Sequence, residues 1–129
     1  MAKDVKDDLF TYSYEAVSET LKRFIFFKLA IETNKNSLLV FDEPEANTFP
    51  FYTKEIAETI ALDSSNQYFL STHNPYLLRA MVEKTALDEL QVNVVFMKNY
   101  ETQIYSFKDN ELSEILDEDI FFNLDKFIS

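Results

Sequence analysis

The sequence of 129 residues contains no glycine. Because glycine has no Cβ, it allows turns with positive φ and lets backbone N–H groups approach a phosphate closely. The glycine-rich loops that bind the phosphates of ATP or of dinucleotides therefore cannot form within this chain. This exclusion is the strongest constraint that the residues place on fold and function.

The balance of apolar and charged residues favours one compact domain. The chain is 47% hydrophobic, which suits a single core. Its longest apolar stretch, FIFFKLAI, is interrupted by Lys28, so no membrane span is predicted, and the first ten residues are too charged for a signal peptide. The absence of cysteine excludes disulfides and thiolate metal sites, and it agrees with a cytoplasmic location.

The net charge is strongly negative. With 23 acidic and 12 basic residues, the formal net charge is −11. Such a charge disfavours binding of the chain by itself to nucleic acid, whose phosphates are negative. Nucleic acid is therefore expected as a partner only through a complete assembly in which another component supplies the positive surface.

Hydrophobic periodicity and turn signals predict alternating strands and helices. This order, with short connections, is typical of an α/β fold with a parallel sheet. The two strands between residues 92 and 108 are predicted to form a C-terminal hairpin that extends the sheet, and the first dozen residues are expected to be loosely ordered. The predicted elements are helix 18–32, strand 37–41, helix 50–62, strand 67–71, helix 75–84, the hairpin and a broken helical tail.

Charged side chains follow both predicted parallel strands. Asp42 and Glu43 close the first strand in LLVFDEPEANTFP, and His73, the only histidine, follows the second. Ligands of open α/β sheets bind outside the carboxyl ends of the strands, so these side chains are expected to converge. There Asp42 would suit a hydrated magnesium ion, Glu43 would polarise a water, and His73 would face a phosphoryl oxygen.

These segments resemble those of a known family. LLVFDEPEANTFP is similar to the Walker B segment of ABC-type ATPases, in particular of the branch with RecF/SMC-like and OLD-like AAA-type proteins. YFLSTHNPYLL resembles the switch-histidine segment of that family, and YEAVSETLKRFIF lies where the family carries its signature motif. The order and the separation of the segments also fit, so the resemblance spans roughly Tyr14 to Lys84.

The resemblance implies a role for each matching residue, with Mg²⁺ and ATP as cofactors. Asp42 matches the Walker B aspartate that organises magnesium through water, and Glu43 matches the catalytic glutamate, so both are expected near the metal. His73 matches the switch histidine beside the γ-phosphate. Ser18 matches the signature serine, which in dimers of the family reaches the nucleotide of the opposite protomer.

The chain departs from the family in two ways. The signature glycine is replaced, since the sequence reads Ser18-Glu19-Thr20, which favours a plain helix cap over a phosphate contact for Ser18. The Walker A loop and its lysine are missing. The resemblance therefore implies that residues 1–129 form the C-terminal lobe of a three-layer P-loop NTPase-like domain. Such a lobe would hydrolyse ATP only when a P-loop-bearing N-terminal lobe or subunit completes it.

Two other functions stay open at this point. One is a catalytically silent interaction module derived from such an ATPase, and the other is a magnesium-dependent phosphodiesterase that uses Asp42, Glu43 and His73 directly.

The wide apolar surface of helix 18–32 predicts a homo-oligomer. Glu45 is open between a residue that supports the site and an exposed charge, and Lys22 and Arg23 are predicted to lie on a solvated helix edge.

Overall fold

The computed structural model describes residue 13 and residues 17–128. The first part of the fold alternates helices and strands: α1 (Glu19–Thr33), β1 (Leu38–Asp42), α2 (Pro50–Ala61), β2 (Gln67–Ser71) and α3 (Pro75–Lys84). β1 and β2 are parallel neighbours, with Leu38 opposite Gln67 and Asp42 opposite Ser71. The predicted parallel pair is confirmed. The expectation of loose order for the first dozen residues lies outside the described part of the chain.

Local capping explains where the helices begin. The Ser18 hydroxyl oxygen accepts the Leu21 N–H at 3.3 Å in front of α1. Pro50 occupies the first turn of α2, where its missing N–H costs no hydrogen bond. In front of α3, the Asn74 side chain accepts the N–H groups of Tyr76 and Leu77. The Ser18 and Asn74 caps satisfy backbone donors that have no partner inside the helix, whereas α2 has no side-chain cap. The sequence alone predicted the positions of Ser18, Pro50 and Asn74.

The described helices cover only one face of the parallel sheet. Its inner face packs on all three helices. On the outer face, Leu38, Val40 and Phe69 are 57%, 68% and 55% exposed. Alternate strand residues point to opposite faces, so this exposure follows from the strand register. The buried cluster consists of Phe27, Ile31, Phe41, Ile56, Ala57, Ile60, Leu77, Ala80 and Met81.

The C-terminal hairpin forms a sheet of its own. β3 (Asn93–Lys98) pairs antiparallel with β4 (Glu101–Ser106), and neither pairs with β2. The prediction that the hairpin extends the parallel sheet was therefore wrong. The physical reason is a second core, in which the hairpin packs on the short helices α4 (Asp109–Leu112) and α5 (Glu114–Asp117) and on one side of α3. The buried members of this core are Val82, Val92, Phe107, Leu112, Ile115 and Ile120.

The remaining elements are short. A 3₁₀ turn at Leu87–Glu89 precedes the hairpin, and α6 (Asp125–Ile128) follows α5. The predicted helical tail is thus present as three separate helices of four residues each. Among the described residues, no helix has the length and apolar character needed to cross a membrane.

Within residues 17–128, five residues take the left-handed backbone conformation that glycine usually occupies. Three of them are asparagines, which tolerate positive φ better than other residues: Asn36, Asn47 and Asn99. Tyr100, with φ 64°, completes the two-residue turn of the hairpin. Glu43, with φ 45°, follows β1 directly and carries no such local advantage. A backbone conformation of this kind costs about 1–3 kcal/mol and marks positions that the surrounding structure holds in place.

Asp63 organises the loop between α2 and β2. Its carboxylate accepts the Ser65 N–H at 2.8 Å, the Ser65 hydroxyl at 2.6 Å and the Asn66 amide at 2.7 Å, and it also accepts the Tyr68 hydroxyl. Burial by itself raises the pKa of Asp63, but these hydrogen bonds outweigh it and hold the pKa well below its ordinary value. Burial and the bond to Asp63 raise the pKa of Tyr68 to about 12.

Asp63→Asn is expected to lower the free energy of unfolding at neutral pH by about 1–3 kcal/mol, because hydrogen bonds to a charged acceptor are lost. The folded-state pKa of Asp63 is depressed, so this stabilisation is complete above the ordinary carboxyl pKa and is lost as the pH falls below it. Urea unfolding at pH 7 and at about pH 3 measures the difference. A gap between wild type and variant that does not shrink at low pH would contradict this account. Asp88→Asn, at an exposed position, is the matched control.

Candidate functional site

The carboxyl ends of β1 and β2 are joined by hydrogen bonds. Asp42 and Ser71 are the last residues of their strands and lie opposite each other. The Ser71 hydroxyl donates to Asp42 Oδ1, and the Glu43 N–H donates to the Ser71 carbonyl oxygen at 3.0 Å. Asp42 is exposed at this edge of the sheet. A carboxylate and a hydroxyl thus stand together where ligands of α/β sheets bind.

Glu43 and His73 contact each other beside this edge. The distance between Glu43 Oε1 and His73 Nδ1 is 2.9 Å. Their side chains are 45% and 73% exposed, so solvent and a ligand can reach both. With Nδ1 engaged by the carboxylate, Nε2 is the imidazole nitrogen that remains for another partner. The structure thus brings Glu43 and His73 together, while Asp42, at the same edge of the sheet, contacts Ser71.

Arg23 lies against the loop that follows β1. Its Nη2 donates to the Glu43 carbonyl oxygen at 3.3 Å, and its guanidinium carbon lies 5.7 Å from the centre of the Phe27 ring. The prediction of a solvated helix edge was wrong for Arg23, which is half-buried, and for Lys22, whose side chain is 16% exposed and pairs with Glu19 at 2.8 Å. The spacing of Arg23 and Phe27, four residues apart on a helix, was the available signal for a stacked arginine.

Glu45 is a buried carboxylate, 5% exposed, which resolves the two alternatives left open for it. Its Oε1 accepts the Thr72 hydroxyl, while its buried Oε2 has no hydrogen-bond partner among the described residues. Thr72 Oγ1 in turn accepts the Asn74 N–H at 3.0 Å. Glu45 therefore connects the acidic loop, residues 43–49, with the start of α3, next to His73.

Ser71 and Thr72 are the residues that the sequence interpretation did not assign to the site. The first contacts Asp42 and the second contacts Glu45. Their signal was present, since Ser71 ends β2 and Thr72 follows it, directly before the only histidine. Without the register of the two strands, however, nothing indicates which carboxylate each hydroxyl meets.

Ser18 stands apart from these residues. Its side chain caps α1, and the structure shows no hydrogen bond from it to Asp42, Glu43 or His73. The plain cap favoured by the sequence is thus observed. A neighbouring contact connects α1 with the acidic loop, because the Thr20 hydroxyl donates to the Asn47 carbonyl oxygen at 2.9 Å.

The donor set at the strand ends suits magnesium only with help from a ligand. Within the described ranges, no group of three or more histidine or acidic side chains is arranged to hold a metal. Magnesium at phosphate-transfer sites takes one or two carboxylates and completes its shell with phosphate oxygens and water. Asp42, exposed and oriented by the Ser71 hydroxyl, fits such a role. Glu43 is already engaged with His73, so its part in metal binding stays a prediction.

A comparison with models of known protein families finds a match that includes the site. The model of a family described as "AAA domain, putative AbiEii toxin, Type IV TA system" matches residues 3–79, which is more than half of the chain and includes β1, the acidic loop, β2 and His73. No match was found among curated proteins.

A solved chain with a similar structure comes from work on the structural biochemistry of ATP-driven dimerization and DNA-stimulated activation of SMC ATPases. The two structures superpose with a TM-score of 0.56 at 18% sequence identity. The match covers 80% of this chain and 62% of that chain, so this chain spans less than two thirds of the SMC ATPase chain. At this identity the similarity shows a shared fold.

Proposed function

Since the chain belongs to the family of AAA domains described as putative AbiEii toxins of type IV toxin–antitoxin systems, we propose that it supplies one half of an ATP-hydrolysing site. The other half, a P-loop lobe, comes from another part of a longer polypeptide or from a separate subunit. The observation that carries this proposal is the 2.9 Å contact between Glu43 and His73 at the carboxyl edge of a parallel sheet, where Asp42 ends β1, in a chain without glycine.

Each residue then has a chemical task. Asp42, oriented by the Ser71 hydroxyl, holds Mg²⁺ through water, and the ion when bound neutralises charge on the phosphates. Glu43 orients the attacking water and accepts its proton. His73, with Nδ1 held by Glu43, presents Nε2 to a phosphoryl oxygen. The Ser18 hydroxyl caps α1, and we give it no part in this chemistry.

The uncovered face of the parallel sheet is the proposed seat of the P-loop lobe. Leu38, Val40 and Phe69 are more than half exposed there, and apolar patches of this kind usually mark interfaces. Helices of the lobe on this face would complete a three-layer P-loop NTPase arrangement.

Since the chain has a net charge of −11, nucleic acid would be contacted only through the complete assembly. The family description makes a toxin–antitoxin system the setting that we propose for that assembly.

A catalytically silent interaction module is the second candidate. The observation that favours it is the apolar outer side of α1, where Phe26 and Leu29 are 62% and 53% exposed. This surface would join two copies of the chain without any need for nucleotide. No contact among the described residues favours the magnesium-dependent phosphodiesterase over these two candidates.

Nucleotide binding by the chain alone tests the half-site proposal. Most of the affinity of P-loop proteins for ATP comes from backbone N–H groups and a lysine that surround the phosphates. The chain alone is therefore expected to bind Mg-ATP no more tightly than about 1 mM, or about 4 kcal/mol, and to hydrolyse none. Titration calorimetry with Mg-ATP, and with ATP in EDTA as the control, measures this affinity.

Co-expression with the P-loop lobe then tests the proposal itself. Phosphate release that requires both parts and Mg²⁺ supports the shared ATPase site. A stable complex with the lobe that releases no phosphate would instead support the silent interaction module. Micromolar binding of Mg-ATP to the chain alone would overturn the half-site proposal, because the residues described here offer no phosphate cradle.

A further inference from the structure

We propose that Arg23 is a positioning residue for Glu43: its guanidinium holds the Glu43 backbone and thereby keeps the Glu43 carboxylate against His73. The inference rests on the proposed catalytic role of Glu43. Its starting point is the 3.3 Å hydrogen bond from Arg23 Nη2 to the Glu43 carbonyl oxygen, a contact between α1 and the loop that follows β1.

Glu43 needs such support because its backbone is strained. With φ 45° it occupies the left-handed region that residues with a Cβ avoid. Its N–H is held by the Ser71 carbonyl oxygen at 3.0 Å, and its carbonyl oxygen accepts the Ala46 N–H at 3.0 Å in addition to Arg23. These contacts fix the peptide groups on both sides of the Cα atom. The direction of the Glu43 side chain towards His73 follows from this fixed backbone.

Arg23 is itself held in place before it meets the loop. Its guanidinium stacks over Phe27, a buried ring whose centre lies 5.1 Å from the centre of the Phe41 ring. Phe41 directly precedes Asp42 in β1, so the arginine is anchored to the strand that delivers the site. A planar guanidinium can stack and donate at the same time, whereas a lysine ammonium provides only a point charge.

A second contact from α1 reaches the same loop. The Thr20 hydroxyl donates to the carbonyl oxygen of Asn47, whose φ is 58°. The first two turns of α1 thus bond to the carbonyl groups of both left-handed residues between β1 and α2. Ser18 caps the same end of α1. A displacement of this helix end would therefore be transmitted to Glu43, which connects the Ser18 side of the chain with the Glu43–His73 pair.

His73 provides a clean probe because it is the only histidine in the chain. NMR on the isolated chain can record cross-peaks between the His73 ring and the Glu43 side chain together with the ¹⁵N shifts of the ring. Arg23→Lys keeps the charge and removes the planar fork, and Arg23→Met also removes the charge. Arg79→Lys is the matched control, since Arg79 is the other arginine and forms an exposed pair with Glu83 at 3.0 Å.

The expected result is loss of the His73–Glu43 cross-peaks, with ring ¹⁵N shifts moving towards those of an unconstrained imidazole, in both Arg23 variants. The Arg79 variant is expected to match wild type. Urea unfolding of each variant shows whether the chain is folded under the conditions of the measurement. If Arg23→Met is unfolded, the result for Arg23→Lys alone decides the test.

Cross-peaks that survive in folded Arg23 variants would overturn the proposal. So would global unfolding of both variants, because Arg23 would then stabilise the whole fold rather than position one residue. The measurement needs no nucleotide. Absence of ATP hydrolysis in the completed assembly would therefore refute the proposed function and leave this result standing.

Discussion

Glu43→Gln in the assembly completed by a P-loop lobe is expected to lower kcat for ATP hydrolysis by about 10²- to 10⁴-fold, the usual contribution of a general base. Glutamine has the same shape as glutamate, and its Oε1 can still accept a hydrogen bond from His73 Nδ1, but its amide cannot take a proton from water. Binding of Mg-ATP should be almost unchanged, because Asp42 and the P-loop keep their contacts. Steady-state turnover and the Kd of Mg-ATP measure the two effects separately.

Glu83→Gln is the matched control for this experiment. Glu83 lies on α3 with an exposed side chain paired with Arg79, and its replacement should leave turnover unchanged. Wild-type turnover in the Glu43 variant would remove this residue from the chemistry. A loss of Mg-ATP affinity comparable to the loss of turnover would indicate instead that Glu43 acts in holding the metal.

Ile56→Ala is expected to have the largest effect on stability. Ile56 is fully buried, with 0% of its surface exposed, in the cluster where α2 meets α1, α3 and the parallel sheet. Truncating a buried isoleucine costs about 2–5 kcal/mol, from the lost apolar burial and the cavity left behind. Small domains are stable by about 5–15 kcal/mol, so a large part of the total would be lost. Urea unfolding followed by circular dichroism measures the change.

Leu62→Ala is the matched control for this prediction. Leu62 directly follows α2 and is 75% exposed, so its truncation should change the free energy of unfolding by no more than about 0.5 kcal/mol. Similar unfolding midpoints for the two variants would contradict the packing of α2 at the centre of the first core.

Local patterns were sufficient to predict the order of the elements and the helix starts. Pro50 and the pair Asn74 and Pro75 act within one turn of their helices, so their meaning does not depend on the rest of the fold. The meeting of Asp42 with the residues before His73 was also predictable, because parallel neighbouring strands bring their carboxyl ends to one edge. The strand itself ends at Asp42, one residue later than predicted.

Pairings that span many residues were decided only by the tertiary structure. Arg23 meets Glu43 across twenty residues of sequence and Glu45 meets Thr72 across twenty-seven, and neither contact follows from a local period. The hairpin has the alternation of a strand pair, but its apolar side packs in a second core with α3, α4 and α5 and does not extend the parallel sheet. Sequence by itself determined which residues form strands, helices and caps, since those preferences are local. Packing determined which side chains became buried partners, because burial depends on residues that are distant in the chain.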